Sequence, residues 1–303
     1  MKPIYLMSPP RSDWTLKGKA NFRSIQAGEV NAADAQREWA SLADAIVASG
    51  GEVLVVPPDP QRNLTGMVYT AEAGEFYVDA NHGPSFILPN MSAGHRRKES
   101  AWIGGFFAGL GMHIETIGAT WEAQGDALRC PSGIIHTYGE GRFARSEKAA
   151  YKEVAPRLSD AHIQLKFKAD PWFHGNTFLN VYTHEGRSGA LVCEEAVEDF
   201  SKLTAFLGES KIVKVSAQES MNYDTNSLQV NDRVIASSTI SKKAIGLFEE
   251  LGLDVELLSL VELFTKGGGA PVCLTNRLWH CDPSHLPSAR LWSRCPNICD
   301  HLA

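Results

Sequence analysis

The chain is poor in several features that would each narrow its function. Its 303 residues carry 29 Lys and Arg against 35 Asp and Glu, a formal net charge of −6. It therefore has no basic footprint, which argues against nucleic acid as the main partner. No run of about 18 apolar residues occurs, so no membrane span and no membrane partner are expected. Met1 to Met7 run directly into a strand-like segment without a long apolar stretch, so no export signal is expected. Six cysteines, Cys130, Cys193, Cys273, Cys281, Cys295 and Cys299, are few for this length. Without an export signal, the expectation is reduced thiols in the cytoplasm. Ser8-Pro9-Pro10-Arg11 follows the first strand where a dinucleotide-binding fold would carry a glycine-rich turn. No linker or low-complexity stretch divides the chain.

What is present is ordinary globular composition, 44% hydrophobic and 21% charged. One unit recurs: an amphipathic helix, a glycine or polar turn, then an apolar strand. The first helix is expected over 32–49, with Ala35, Trp39, Leu42, Ala43, Ile46 and Val47 at helical spacing. Asn31 and Asp34 are placed to cap it, and Gly50-Gly51 to end it before a strand at 53–58. Similar helices are expected near 95–110, 143–158, 194–207 and 239–251, each followed by a strand. Shorter strands are expected between them at 74–78, 85–88, 133–137, 178–182, 189–193 and 227–236. Five such units in 303 residues average about 60 residues each, a period that signals internal repetition. Repeats closing around one core would bring loops from different units together, a natural place for a polar site.

Four segments break the pattern of core and surface. In Met67–Gly74 a carboxylate, Glu72, interrupts what reads as an apolar strand. In Thr120–Leu128, Glu122 and Asp126 flank a glycine, a pattern suited to orienting a histidine or holding a positive charge. In Asp170–Phe178, His174 stands among aromatics ahead of Gly175 and Asn176. Its intrinsic pKa of about 6.5 suits proton transfer near neutrality. In Thr265–Thr275 a triple glycine leads to Cys273 after a run that reads as a strand. Glycines allow close backbone approach, and a thiolate is a strong nucleophile. A cysteine, a histidine and a carboxylate from distant segments are the parts of covalent catalysis.

Together these segments resemble the guanidino-group-modifying enzymes: dimethylargininases, arginine deiminases and amidinotransferases. The family's "PDMVFTANAG"-like segment, "RxxE" helix start, "EGxGD" turn and "R-T/S" pair are matched by Met67–Gly74, Arg96–Glu99, Glu122–Asp126 and Arg145-Ser146. Its "HxDT", "NxL" and "KGGG…CLT" segments are matched by His174–Thr177, Asn226–Leu228 and Lys266–Thr275, in the same order over nearly the whole chain. The resemblance implies a five-bladed α/β propeller of ββαβ units with pseudo-fivefold symmetry. It would span 1–279 as a single catalytic domain, with 280–303 as a C-terminal tail.

The resemblance also implies chemistry. Cys273 would attack the guanidino carbon to give a thiouronium, with a thiol pKa lowered in the resting enzyme or a thiolate formed on substrate binding. His174 would protonate the departing amine and activate the next nucleophile. Glu122 would orient His174 or hold substrate nitrogens. Glu72, Arg97 (or Arg96), Arg145, Asn176 and Asp126 would bind substrate, the arginines through a carboxylate. The expected activity is a cysteine hydrolase of C–N bonds in a guanidino or amidine-type compound, without cofactor or metal. An amidinotransferase and a non-catalytic binding module are the alternatives, and homo-oligomerisation is left open.

The chain departs from the family pattern in three places. Asn176 stands where the family has an aspartate, Thr65-Gly66 where "P-D" precedes Met67, and Glu72 where a shorter acid or amide is usual. A modified substrate pocket is the expectation. The segment from His280 to His301 holds three cysteines spaced Cys-x13-Cys-x3-Cys, without the short paired spacing of a zinc site, and reads as a loosely ordered tail.

Overall fold

The computed structural model describes residues 2–17, 21–141 and 143–295. The chain is α/β and forms five three-stranded sheets. Each has the same plan: an antiparallel hairpin, then a crossing segment that contains a helix, then a third strand parallel to the second. In the second unit Glu75–Asp79 and Gly83–Ile87 form the hairpin, helix Arg97–Gly109 crosses, and His113–Glu115 joins in parallel. The third unit uses Ala127–Cys130, Gly133–Glu140 and His162–Lys168. The fourth uses Leu179–His184, Arg187–Val192 and Lys211–Lys214. The fifth uses Leu228–Val230, Arg233–Ser237 and Asp254–Leu258. The first sheet draws on both ends of the chain. Ile4–Met7 pairs in parallel with Glu52–Val55 and antiparallel with Asn276–Arg277, with Leu6 opposite Asn276.

The local sequence explains the repetition. Helix Ala32–Ala48 is capped by Asn31, whose side chain accepts from the backbone N–H groups of Ala33 and Asp34. It buries Ala35, Trp39, Leu42, Ala43 and Ile46 at helical spacing. Four crossing helices end at a glycine of positive φ, namely Gly50, Gly111, Gly208 and Gly252. That conformation turns the chain into the parallel strand without a Cβ clash.

Several expected elements differ. The third helix is only Ala150–Val154 with a further turn Ala155–Arg157, not 143–158. Ser146 is instead drawn off into hydrogen bonds with Asp126 and the Glu122 backbone. The fourth helix is Phe200–Leu207, because Asp199 caps it there. The run 227–236 is a hairpin that turns at Asn231, where φ is +55°. Strand Ala127–Cys130 follows the Glu122–Asp126 turn. The segment before the triple glycine, Val261–Lys266, is helical, its first N–H groups accepted by the Glu38 carboxylate.

The tail is packed as far as Cys295, rather than loose. Leu291 bridges to Leu54, and Trp292 N–H donates to Val53 O at 2.9 Å. The Trp292 indole donates to Asp44 and packs edge-on to Trp39 at 5.2 Å between ring centroids. This covers the outer edge of the first sheet, which would otherwise expose unpaired backbone groups. Cys299 and His301 lie outside the described residues. Among the described residues no helix is long and apolar enough to cross a membrane, and no group of three or more His, Cys, Asp or Glu is arranged to hold a metal ion.

Candidate active site

Every sheet's hairpin is entered through a tight turn, and these five turns carry the site. Thr70–Ala73 precedes the second hairpin, Ala123–Gly125 the third, Gly175–Thr177 the fourth and Asp224–Asn226 the fifth. The turn at 271–274 precedes Asn276–Arg277. Neighbouring turns touch in order around this series. The last is joined on both sides: Cys273 N–H donates to Asn226 Oδ1 at 3.0 Å, and Ala71 N–H donates to Cys273 O at 3.1 Å. The turns thus form a closed ring, one from each unit. Glu72, Glu122, His174 and Cys273 come from four of them, and Asn226 from the fifth. The segment Met67–Gly74 is therefore not a strand but a pair of 3-10 turns.

Residues that lead into the turns line a pocket of about 620 Å³, its mouth included. Cys273, His174, Glu122, Glu72, Arg96, Arg145, Tyr69 and Phe173 all face it. His174 Nε2 lies 2.9 Å from Glu122 Oε2. Glu122 Oε1 accepts from both the backbone N–H and the hydroxyl of Ser92 at 3.0 Å. On the other ring nitrogen, His174 Nδ1 lies 3.5 Å from Glu72 Oε1 without forming a hydrogen bond. Burial works against charging either partner of the His174–Glu122 pair, but their neighbours prevail. The negative charge of Asp126 and the bond to Glu122 hold His174 above its usual range. The bond to His174, with the charges of His174, Arg145 and Arg96, holds the Glu122 carboxyl down to about 2. Both shifts favour an imidazolium–carboxylate pair.

Cys273 is 2% exposed, and its Sγ lies 3.8 Å from Asn176 Oδ1. Burial, and then the negative charge of Glu72, push its thiol well above the ordinary range. Of the two expected routes to a thiolate, a lowered resting pKa is not the one these surroundings favour: they hold the thiol in its neutral form. The glycines ahead of it serve close packing. A Cβ on Gly267 or Gly269 would run into the Tyr69 side chain, and Gly268 has φ +85°.

The other expected residues are distributed unequally. Arg145 is half-buried at the pocket, with Nη1 3.4 Å from Ser92 Oγ and its guanidinium 6.0 Å from the Phe173 ring centroid. Asn176 is buried, its Oδ1 toward Cys273 and its Nδ2 without a hydrogen-bond partner. Arg97 is exposed, points its Nε at Met91 O at 3.4 Å and does not line the pocket. Arg96 takes that place instead. It is fully engaged, with Glu72 at 2.6 Å, Glu99 at 2.8 and 2.9 Å and Gly66 O at 2.8 Å. Asp126 does not line the pocket either. Its carboxylate lies behind His174 and accepts from Thr137, Ser146 and the Gly175 N–H at 2.6, 2.6 and 2.9 Å. It fixes the histidine-bearing turn from behind, away from the pocket surface where a substrate-binding residue was expected.

Sequence reasoning gave Asn226 no role. Its side chain joins Cys273 N–H to Asn176 O. Tyr69 and Lys17, both at the pocket, were also missed. The triple glycine was the one signal that a bulky neighbour had to be accommodated.

A buried cysteine beside a His–Glu pair, in a ring of turns from five repeated units, makes up a candidate cysteine-based site on an α/β scaffold. No protein-family model and no curated protein matches the sequence. Solved structures match over most of its length. One is the N-terminal domain of ArgZ covalently bound to a reaction intermediate: 23% identity, TM-score 0.79, covering 91% of this chain and 98% of that one. ArgZ is described as an arginine dihydrolase from the ornithine–ammonia cycle in cyanobacteria. AgrE with ornithine and NAD+ matches at 21% identity and TM-score 0.80, covering 93% of this chain. A dimethylarginine dimethylaminohydrolase matches at 18% identity and TM-score 0.62, covering 92% of this chain and all of that one. The chain spans about 40% of full-length ArgZ and AgrE. At these identities the likeness establishes a shared fold, the fold of the guanidino-modifying enzymes that the sequence motifs resemble.

Proposed function

We propose that this chain hydrolyses a C–N bond of a guanidino compound through a thiouronium on Cys273, as a member of the guanidino-modifying enzymes. The five sheets would be the blades of a propeller whose axis passes through the ring of turns. Residues 1–279 would form the catalytic unit, with 280–303 as an appended segment fastened to the first sheet. The observation that carries the reading is the ring itself, which sets Cys273, His174, Glu122 and Glu72 around one pocket from four separate turns.

The chemistry follows from the charges. A guanidinium entering the pocket brings the positive charge that the neutral Cys273 thiol needs in order to ionise beside Glu72. The sulfur then attacks the guanidino carbon. The thiol proton passes to solvent as the thiolate forms, and the imidazolium of His174 gives its own proton to the departing nitrogen as the C–N bond breaks, which leaves His174 neutral. The products of this half are the thiouronium and free ammonia or amine. Neutral His174, steadied by Glu122, next takes a proton from water as its oxygen attacks the thiouronium carbon. The C–S bond breaks, returning the thiol and releasing a ureido product. Proton exchange of this kind contributes about 10²–10⁴-fold to a rate. Arg145 and Lys17, which both line the pocket, would hold a substrate carboxylate.

The reading is tested by incubating the full chain with arginine-like, agmatine-like and short guanidino-acid compounds, measuring ammonia, amine and ureido products. Repeating the assay with added amines separates hydrolysis from amidino transfer. Hydrolysis of at least one compound, unaffected by amines, is expected; transfer to the amine would replace this reading with the transferase.

A further inference from the structure

The strands that leave the ring of turns enclose a second cavity, of about 1300 Å³ with its mouth. Its walls come from Ala127–Cys130, from Asn180 to Thr183, from Leu228 and Gln229, and from Thr275 and Arg277, with Trp279 among them. No residue lines both this cavity and the Cys273 pocket.

Two arginines face it, and they differ in their partners. Arg129 is matched, with Glu75 Oε1 at 3.0 Å from Nη2 and Asp160 Oδ2 at 2.5 Å from Nη1. Arg277 uses only its backbone. Its N–H donates to Gln124 Oε1 at 2.9 Å, and its C=O accepts from Gln124 Nε2 at 2.9 Å. Its guanidinium meets no carboxylate or carbonyl among the described residues. It lies 3.7 Å from the Trp279 ring centroid, and the Arg129 guanidinium lies 5.3 Å from the same ring. Burial and the like charge of Arg129 both work against the Arg277 charge, with Tyr5 supporting it. A guanidinium withdrawn from water without a counter-charge is unfavourable. One held flat on an indole is pre-set to present its planar fork to an oxyanion. Three other polar side chains at this wall are turned to the protein, whereas the Asp160 carboxylate at the wall is engaged by Arg129. Tyr5 OH donates to Gln229 O, Asn180 Nδ2 to Ser227 O, and Gln229 Nε2 to Thr183 O and Asn231 O.

We propose that this cavity is a second binding site, for a small oxyanion ligand (a carboxylate or a phosphate), with Arg277 as its cation. The site is independent of the Cys273 reaction but sits next to its framework. Gln124, which clasps the Arg277 backbone, belongs to the turn after Glu122, and Arg277 follows Cys273 by four residues.

The test is equilibrium binding of inorganic phosphate and of succinate to the full chain at low ionic strength, by calorimetry and by thermal shift. Saturable binding of at least one probe with a Kd of about 1 mM or tighter is expected. Cys273→Ser should bind equally well. Arg277→Gln should lose at least about tenfold in affinity. Thr183→Glu, which adds a negative charge at an exposed position of the wall, should do the same while keeping the backbone hydrogen bonds of Thr183 to Gln229. It keeps the test open should Arg277→Gln fail to fold. Binding of phosphate alone or succinate alone identifies the class of anion. The proposal is overturned if neither probe binds, if Thr183→Glu binds as wild type, or if guanidino compounds compete for the bound anion, which would place it in the Cys273 pocket.

Discussion

The Cys273 pocket and the second cavity each hold an arginine tied to two carboxylates, but the second also holds one that is not. In the Cys273 pocket the interior cation Arg96 is tied to two carboxylates, and His174 to a third. In the second cavity Arg277 is left on an indole face with no acid. The first arrangement fixes geometry. Glu72 and Glu122 are held in place before any ligand enters, and on the proposed reading the group that changes state is Cys273. The second arrangement leaves attraction unused. Pre-organised charge suits chemistry, whereas unmatched charge suits binding.

The comparison can be broken at several points, beginning with the largest effect. Cys273→Ser should lower turnover by on the order of 10⁴-fold or more while leaving thermal stability nearly unchanged; a steady-state product assay beside a melting curve checks both. His174→Ala should cost about 10²–10⁴-fold. In rapid-quench experiments its deficit should appear in the release of Cys273 as well as in its attack.

The two arginines should separate in denaturant titrations. Arg96→Gln strands Glu72 and Glu99 in the interior and should destabilise the fold by about 3–5 kcal/mol. Arg277→Gln strands nothing and should stay within about 1 kcal/mol. Equal losses would remove the distinction between the cavities.

Acid titration probes the fixed pair more gently. Because the Glu122 carboxyl is held down to about 2, its contribution is complete above its unfolded value of 4.5 and is lost as pH falls from there toward 2. His174, raised above 6.5, has the opposite sign. Its contribution is complete below 6.5 and is lost as pH rises through its folded value. Glu122→Gln should therefore flatten the fall in stability between pH 4.5 and 2, read as denaturation midpoints across that range. The smallest effect is expected from Asn176→Asp. A carboxylate beside Cys273 should improve the KM for an ordinary guanidinium by up to about tenfold. A loss of kcat instead would mean that the amide serves the native substrate.

The fivefold repetition was legible because its markers are local. The apolar stripe of helix Ala32–Ala48, its Asn31 cap and the glycine after it depend on neighbours in sequence. The chemistry-bearing segments were legible as interruptions of that pattern. What they did not reveal was their shared position, the turn that opens each hairpin, because the turns are matched across units and not along the chain. Met67–Gly74 reads as a strand from its apolar residues, yet Arg96 reaches over to bond Gly66 O and Glu72 and holds it in turns. The choice of Arg97 over Arg96 rested on adjacent residues at a helix start. Only the helix phase shows that one faces inward and the other outward. Asn226 links two backbones far apart in sequence, a role that composition does not signal. The tail's packing depends on Trp292 meeting Trp39, a long-range contact of the same kind.

The most direct test is intact-mass analysis of acid-quenched protein during incubation with the guanidino panel. The account predicts a transient amidino adduct that maps to Cys273, forms before free ureido product, and is absent in Cys273→Ser. Turnover that persists in the serine variant, or product formed with no adduct at any time point, would contradict it.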